Sequence, residues 1–136
     1  MSLAEEFYNL FKGSDIAHGT FVVKNNRASD GKKQGSAKIL REPTTIEMWQ
    51  EHLKGGVGLG IIPIRSDNKC QWGAIDIDDY AVSHKDLVAK LKENKIPAVV
   101  GRTKSGGAHV WLFVNETVEA EDMQRKMTEL SAALGF

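Results

Sequence analysis

Cysteine is almost missing from this sequence. Cys70 stands alone among 136 residues, which excludes a disulfide framework and an all-cysteine zinc site within one chain. A small buried thiol in a reducing compartment is the expected role. Net charge is missing as well: Lys plus Arg equals Asp plus Glu at 18 each, so no global signal for nucleic acid exists and any basic footprint must be local. No apolar run approaches the roughly 18 residues of a membrane span. The N-terminus lacks a signal-peptide pattern, and there is no internal repeat or low-complexity segment. These absences predict a cytoplasmic protein with no membrane contact. What is present is a hydrophobic fraction of 41%, too high for disorder, in a length that suits one domain.

Hydrophobic spacing predicts the elements. Leu3, Phe7, Leu10 and Phe11 share one helical face, and Gly13 stops that helix. Thr20 to Val23 reads as a short strand, residues 24–38 as a polar loop, and Ile39-Leu40 as a small strand. Thr44-Thr45-Ile46-Glu47 has capping-box spacing and opens a helix that buries Ile46, Trp49 and Leu53. Residues 57–65 and 70–78 then read as a hairpin around Ser66-Asp67-Asn68, with Pro63 at an edge or bulge. Ser83 with Asp86 caps the next helix; residues 97–102 and 109–114 read as strands, the second apolar on both faces. A final helix over 119–134 turns Met123, Met127 and Leu130 inward. From Cys70 onward the order is strand, helix, strand, strand, helix. That is the RNA-recognition-motif or ferredoxin-like order without its last strand.

Two stretches carry the candidate chemistry. In Trp72 to Tyr80, Asp76 and Asp78 are two residues apart on a strand-like run, so they share a face while Ile75 and Ile77 enter a core. Two carboxylates on one face repel each other unless a cation lies between them, and phosphoryl-transfer sites use oxygen-ligated divalent metals in this way. Read alone, the same acids could simply solvate a loop. In Arg102 to His109, Ser105-Gly106-Gly107 makes a tight turn in which backbone N–H groups can meet an anion. Arg102, Lys104 and Ser105 add donors, and His109 opens the following strand. Read alone, this is also an ordinary hairpin turn. Gly56, Gly58 and Gly60 resemble a nucleotide loop but lead into a strand rather than a helix, which argues against one. His18, His52 and His84 have no ligand spacing, the three tryptophans read as core, and Lys24, Arg27, Lys32 and Lys33 form a basic loop that could touch phosphates.

Taken together, the two stretches resemble the archaeo-eukaryotic primase superfamily. The resemblance is carried by Ala74-Ile75-Asp76-Ile77-Asp78, two aspartates one residue apart after an apolar strand, and by Ser105-Gly106-Gly107-Ala108-His109-Val110-Trp111-Leu112-Phe113. Gly60-Ile61-Ile62-Pro63-Ile64-Arg65 leading into Trp72-Gly73 is similar to the primase domain of TOTE conflict systems and related phage or plasmid primase-polymerases.

The resemblance implies an α+β fold, an RNA-recognition-like catalytic core (57–136) packed on an N-terminal α/β unit (1–56), together one domain over residues 1–136. It implies a DNA primase-polymerase that moves nucleotides from nucleoside triphosphates onto a DNA-templated strand, with a helicase domain or protein as a further partner. Asp76 and Asp78 would be the catalytic metal ligands for Mg²⁺ or Mn²⁺. Ser105, Gly106, His109, Lys104 and Arg102 would bind the triphosphate. The family's third acidic motif belongs on a later strand, so the domain is expected to be C-terminally incomplete and this segment alone to be inactive. Two other readings stay open: a non-catalytic RNA-recognition-like module for single strands or nucleotides, and a metal-dependent nuclease using the same acids.

Overall fold

The structure, a computed structural model, describes residues 1–27 and 33–136. Its order is α1 (Leu3–Leu10), β1 (His18–Arg27), β2 (Lys33–Leu40), α2 (Ile46–Leu53), β3 (Gly58–Gly60), β4 (Lys69–Ile77), α3 (His84–Glu93), β5 (Val99–Arg102), β6 (Ala108–Glu119) and α4 (Ala120–Leu134). The expected α+β class holds, with two antiparallel sheets ordered β2-β1-β3 and β4-β6-β5. No described helix is long and apolar enough to cross a membrane.

The second sheet has the expected RNA-recognition-like order, β4-α3-β5-β6-α4, with β6 between β4 and β5. One face is dry. Ile75 and Ile77 of β4 and Ala108 and Val110 of β6 pack on Leu87 and Leu91 of α3 and on Met123, Met127, Leu130 and Leu134 of α4. Ser83 caps α3 by accepting from the Asp86 N–H at 3.2 Å, as its sequence promised. Gly73 lets α4 lie close, since a Cβ there would press on Met123 and Met127.

The other face of this sheet is half covered. Phe11, just past α1, stands edge-on to Trp72, Trp111 and Phe113 at 5.2, 5.8 and 5.2 Å and stacks on Trp49 of α2 at 5.8 Å. The Trp72 indole N–H donates to the Lys12 carbonyl at 3.1 Å. The N-terminal unit is thus joined to the core through aromatic rings, each pair adding about 0.5–1.5 kcal/mol beyond the area it buries. It covers the Trp72–Phe113 end of the sheet and leaves the Asp76–His109 end open.

Leu53 of α2 is exposed rather than buried, and two expectations about strands fail. Residues 57–78 do not form a hairpin. Within 57–65 only Gly58–Gly60 is strand, and it pairs with β1 (Gly19↔Gly60, Phe21↔Gly58), while β4 pairs with β6. The link between the expected partners reduces to the turn itself, where the Arg65 N–H donates to the Lys69 carbonyl at 2.9 Å. Pro63 offers no N–H to a ladder, and Gly19 faces Gly60 with no Cβ on either side, which allows this close antiparallel pairing. By pairing, β3 belongs to the N-terminal sheet, past the boundary expected at residue 56.

The second failure is the 24–38 loop. Strands β1 and β2 run well into it, paired from His18↔Leu40 to Val23↔Gly35. Residues 24–36 are almost wholly polar, so this part of the ladder lacks the apolar alternation that marks a half-buried strand. Lys32 lies outside the described residues, and Lys24, Arg27 and Lys33 are placed only as positions on β1 and β2.

Candidate nucleotide and metal site

Alternation along β4 turns Ala74 and Asp76 to the open face, between the buried Ile75 and Ile77. Asp78 follows the strand's last residue and is likewise exposed. In the antiparallel register Asp76 lies directly opposite His109 of β6. The imidazole Nε2 is 3.4 Å from the Asp76 carboxylate. His109 thus stands on the strand next to that of Asp76, on the same side of the sheet. Gly101 of β5 flanks His109 on its other side. A Cβ at Gly101 would overlap the Trp111 indole, so the glycine makes room for the ring that floors the site beside His109, 5.4 Å from it.

The turn between β5 and β6 is closed twice. The Thr103 N–H donates to the Gly107 carbonyl and the Gly106 N–H to the Thr103 carbonyl, both at 3.1 Å. Gly106 has φ +100°, a conformation that an L side chain strains. Its N–H is spent inside the turn, so Gly106 contributes shape there rather than a donor aimed at a ligand. Gly107 passes so close to β4 that a Cβ would overlap the Ile77 carbonyl oxygen. That approach carries the turn alongside the end of β4, where Asp78 leaves the strand. Ser105 is 9% exposed.

His84, which the sequence marked only as a surface or core residue, has a positioning role. Its Nε2 lies 2.7 Å from the Gly107 carbonyl oxygen and so holds the turn from α3. No spacing signal announces that contact, because it joins two residues 23 apart through tertiary packing. Asp79, the third consecutive-looking acid, is engaged in its own turn, accepting from the Ala81 N–H at 3.0 Å.

Asp76, Asp78, Tyr80, Arg102, Lys104, Ser105 and His109 line one cleft of about 570 Å³, together with Phe11, Trp49 and Trp111. Every residue that the sequence put forward for metal or triphosphate contact, except Gly106, therefore borders one cavity. Its lining combines the two acids with Arg102 and Lys104. Lys104 does not point at the acids; its Nζ sits 4.7 Å from the centroid of the Phe21 ring on the N-terminal sheet. Among the described residues no cluster of three or more His, Cys, Asp or Glu side chains forms a metal cage. The donor set is two exposed hard carboxylates with open positions around them. That suits Mg²⁺ or Mn²⁺ ions, which keep several waters and share ligands with substrate phosphates.

No curated protein matches the chain. The family model described as the archaeo-eukaryotic primase domain of the TOTE conflict system matches residues 7–134, a span that takes in both sheets, the cleft and the Asp76–His109 pair. The chain belongs to the archaeo-eukaryotic primase domains of TOTE conflict systems.

Proposed function

We propose that this domain performs metal-dependent nucleotidyl transfer from nucleoside triphosphates onto a strand paired with a DNA template. Family membership supports a primase-type nucleotidyltransferase. The observation that carries the finer reading is the His109–Asp76 pair, 3.4 Å apart on an open sheet face, in one cleft with Asp78 and a basic turn. Asp76 and Asp78 hold the cation, which when bound neutralises the triphosphate and polarises the attacking 3′ hydroxyl. His109 and Ser105 orient phosphate oxygens. Arg102 and Lys104 balance the charge of the leaving pyrophosphate. Positioning and charge are most of what phosphoryl transfer asks of a protein, and no side chain here needs to become a nucleophile.

The covered half of the sheet argues against a non-catalytic RNA-recognition-like module. Such a module stacks bases on open aromatics of its central strands, whereas Trp72, Trp111 and Phe113 are packed against Phe11. Calorimetry with a non-hydrolysable triphosphate tests the proposal. Binding is expected with Mn²⁺ and lost in EDTA. His109→Ala and Lys104→Ala should each weaken it about tenfold or more, the scale of a charge-assisted hydrogen bond. Equal affinity with and without the chelator contradicts the site.

A further inference from the structure

A second groove, of about 960 Å³, lies on the N-terminal sheet and meets the catalytic cleft, with Lys104, His52, Leu59 and Gly60 lining both. Its floor has an unusual make-up. Cross-strand partners in an antiparallel sheet share a face, so Gly19, Phe21 and Val23 of β1 lie with Ile39, Ala37 and Gly35 of β2 and with Gly60 and Gly58 of β3. Four of these eight positions are glycine and none is charged. Phe21 is the only aromatic among them. Its ring lies across Gly35, where a Cβ would overlap it, and Lys104 covers the ring. Val23 and Ile39 beside it are exposed.

Resting on the nucleotidyl-transfer reading, we infer that this face is a platform for single-stranded nucleic acid, with one unpaired base stacked on Phe21 and Lys104 at the adjoining phosphate. Three observations favour a nucleic acid strand over another occupant. The charged side chain shown against this face is Lys104, over the Phe21 ring, and no carboxylate of the described residues lines the groove. The sequence from 20 to 40 has five lysines and arginines against one acid, Asp30. The groove also runs into the cleft where the new bond would form, as the path of a template strand must.

The magnitudes allow the exchange at Phe21. An exposed cation–π contact contributes about 0.5–1 kcal/mol, and a base stacked on an aromatic side chain about 1–3 kcal/mol. A base therefore displaces the ammonium, which the flexible lysine stem holds at the strand phosphate in the absence of triphosphate and yields to the pyrophosphate group when triphosphate is bound. The glycines leave no side chain in the way of the sugar-phosphate chain. A duplex has no free base face to offer.

Fluorescence anisotropy with a labelled 12-nucleotide oligothymidylate in EDTA, without triphosphate, tests this. The absence of metal separates its failure from failure of the metal site, which calorimetry reads. Phe21→Leu should weaken binding about fivefold or more, and Phe21→Trp should hold it within about twofold. Ile39→Glu, on an exposed position of the same face, should weaken it while leaving the melting temperature unchanged, so the test survives if Phe21→Leu folds poorly. Duplex of the same length should bind more weakly. Wild-type affinity in Phe21→Leu and Ile39→Glu, equal affinity for duplex, or no binding by the wild type overturns the platform. A dimer dispersed by Ile39→Glu with strand binding intact assigns the face to a second copy instead.

Discussion

Phe11→Ala should uncouple the N-terminal unit from the β4-β6-β5 sheet. Phe11 touches Trp72, Trp111 and Phe113 edge-on and stacks with Trp49 and Phe7, at centroid distances from 5.2 to 6.1 Å. Removing a core phenylalanine costs about 3–5 kcal/mol. Phe11 is only half-buried, so about 3 kcal/mol is the expected loss. A domain of this size loses roughly 3–5 °C in melting temperature per kcal/mol, which gives a drop of about 10 °C. Phe11→Leu keeps most of the apolar volume but forfeits the edge-to-face terms, and should cost about 1–2 kcal/mol. Urea unfolding followed by tryptophan fluorescence is the assay, because all three tryptophans, 49, 72 and 111, contact Phe11 and report on the joint. A loss below about 1 kcal/mol for the alanine variant, or identical losses for alanine and leucine, would show that the two units are not held by these rings.

Two further outcomes follow from the packing. Burial pushes the Cys70 thiol above its ordinary range because the thiolate is desolvated; alkylation of the folded protein near pH 8 should be at least tenfold slower than in urea, and equal rates would place Cys70 at the surface. Gly107→Ala drives a methyl into the Ile77 carbonyl, so it should cost about 1–3 kcal/mol and weaken triphosphate binding by shifting the turn; a crystal structure with the Ile77–Ala108 pairing unmoved would contradict that.

Local signals were read correctly where the physics is local. Alternation puts Asp76 on the open side of β4 between the buried Ile75 and Ile77, the Ser83 cap starts α3, and the spacing of Met123, Met127 and Leu130 turns α4 inward. The hairpin was misread because strand partners are chosen by tertiary packing: alternation and a turn signal describe residues 57–78 equally well whether β4 meets its sequence neighbour or β6. The strand pairing past Val23 is not announced because residues 24–36 are almost wholly polar, although Phe21, Val23, Ala37 and Ile39 nearer its base share an apolar face. His84 could not be recognised as the anchor of the 103–107 turn, nor Phe21 as the seat of Lys104. Both contacts bridge elements far apart in sequence and need the fold before they exist.

Asp76 and Asp78 are proposed to hold a divalent cation for a bound triphosphate. Titration of Mn²⁺ followed by electron paramagnetic resonance tests it directly, since the sharp signal of free aqueous Mn²⁺ falls as the ion is bound. The Asp76–His109 pair is exposed, its side chains 62% and 40% accessible, so Asp76→Asn should change stability by less than about 1 kcal/mol and serve as a folded control. Wild-type protein with triphosphate should deplete the free Mn²⁺ signal beyond what triphosphate alone removes, and Asp76→Asn combined with Asp78→Asn should abolish the excess. Undiminished Mn²⁺ binding by the double variant, or no excess depletion by the wild type, contradicts the assignment.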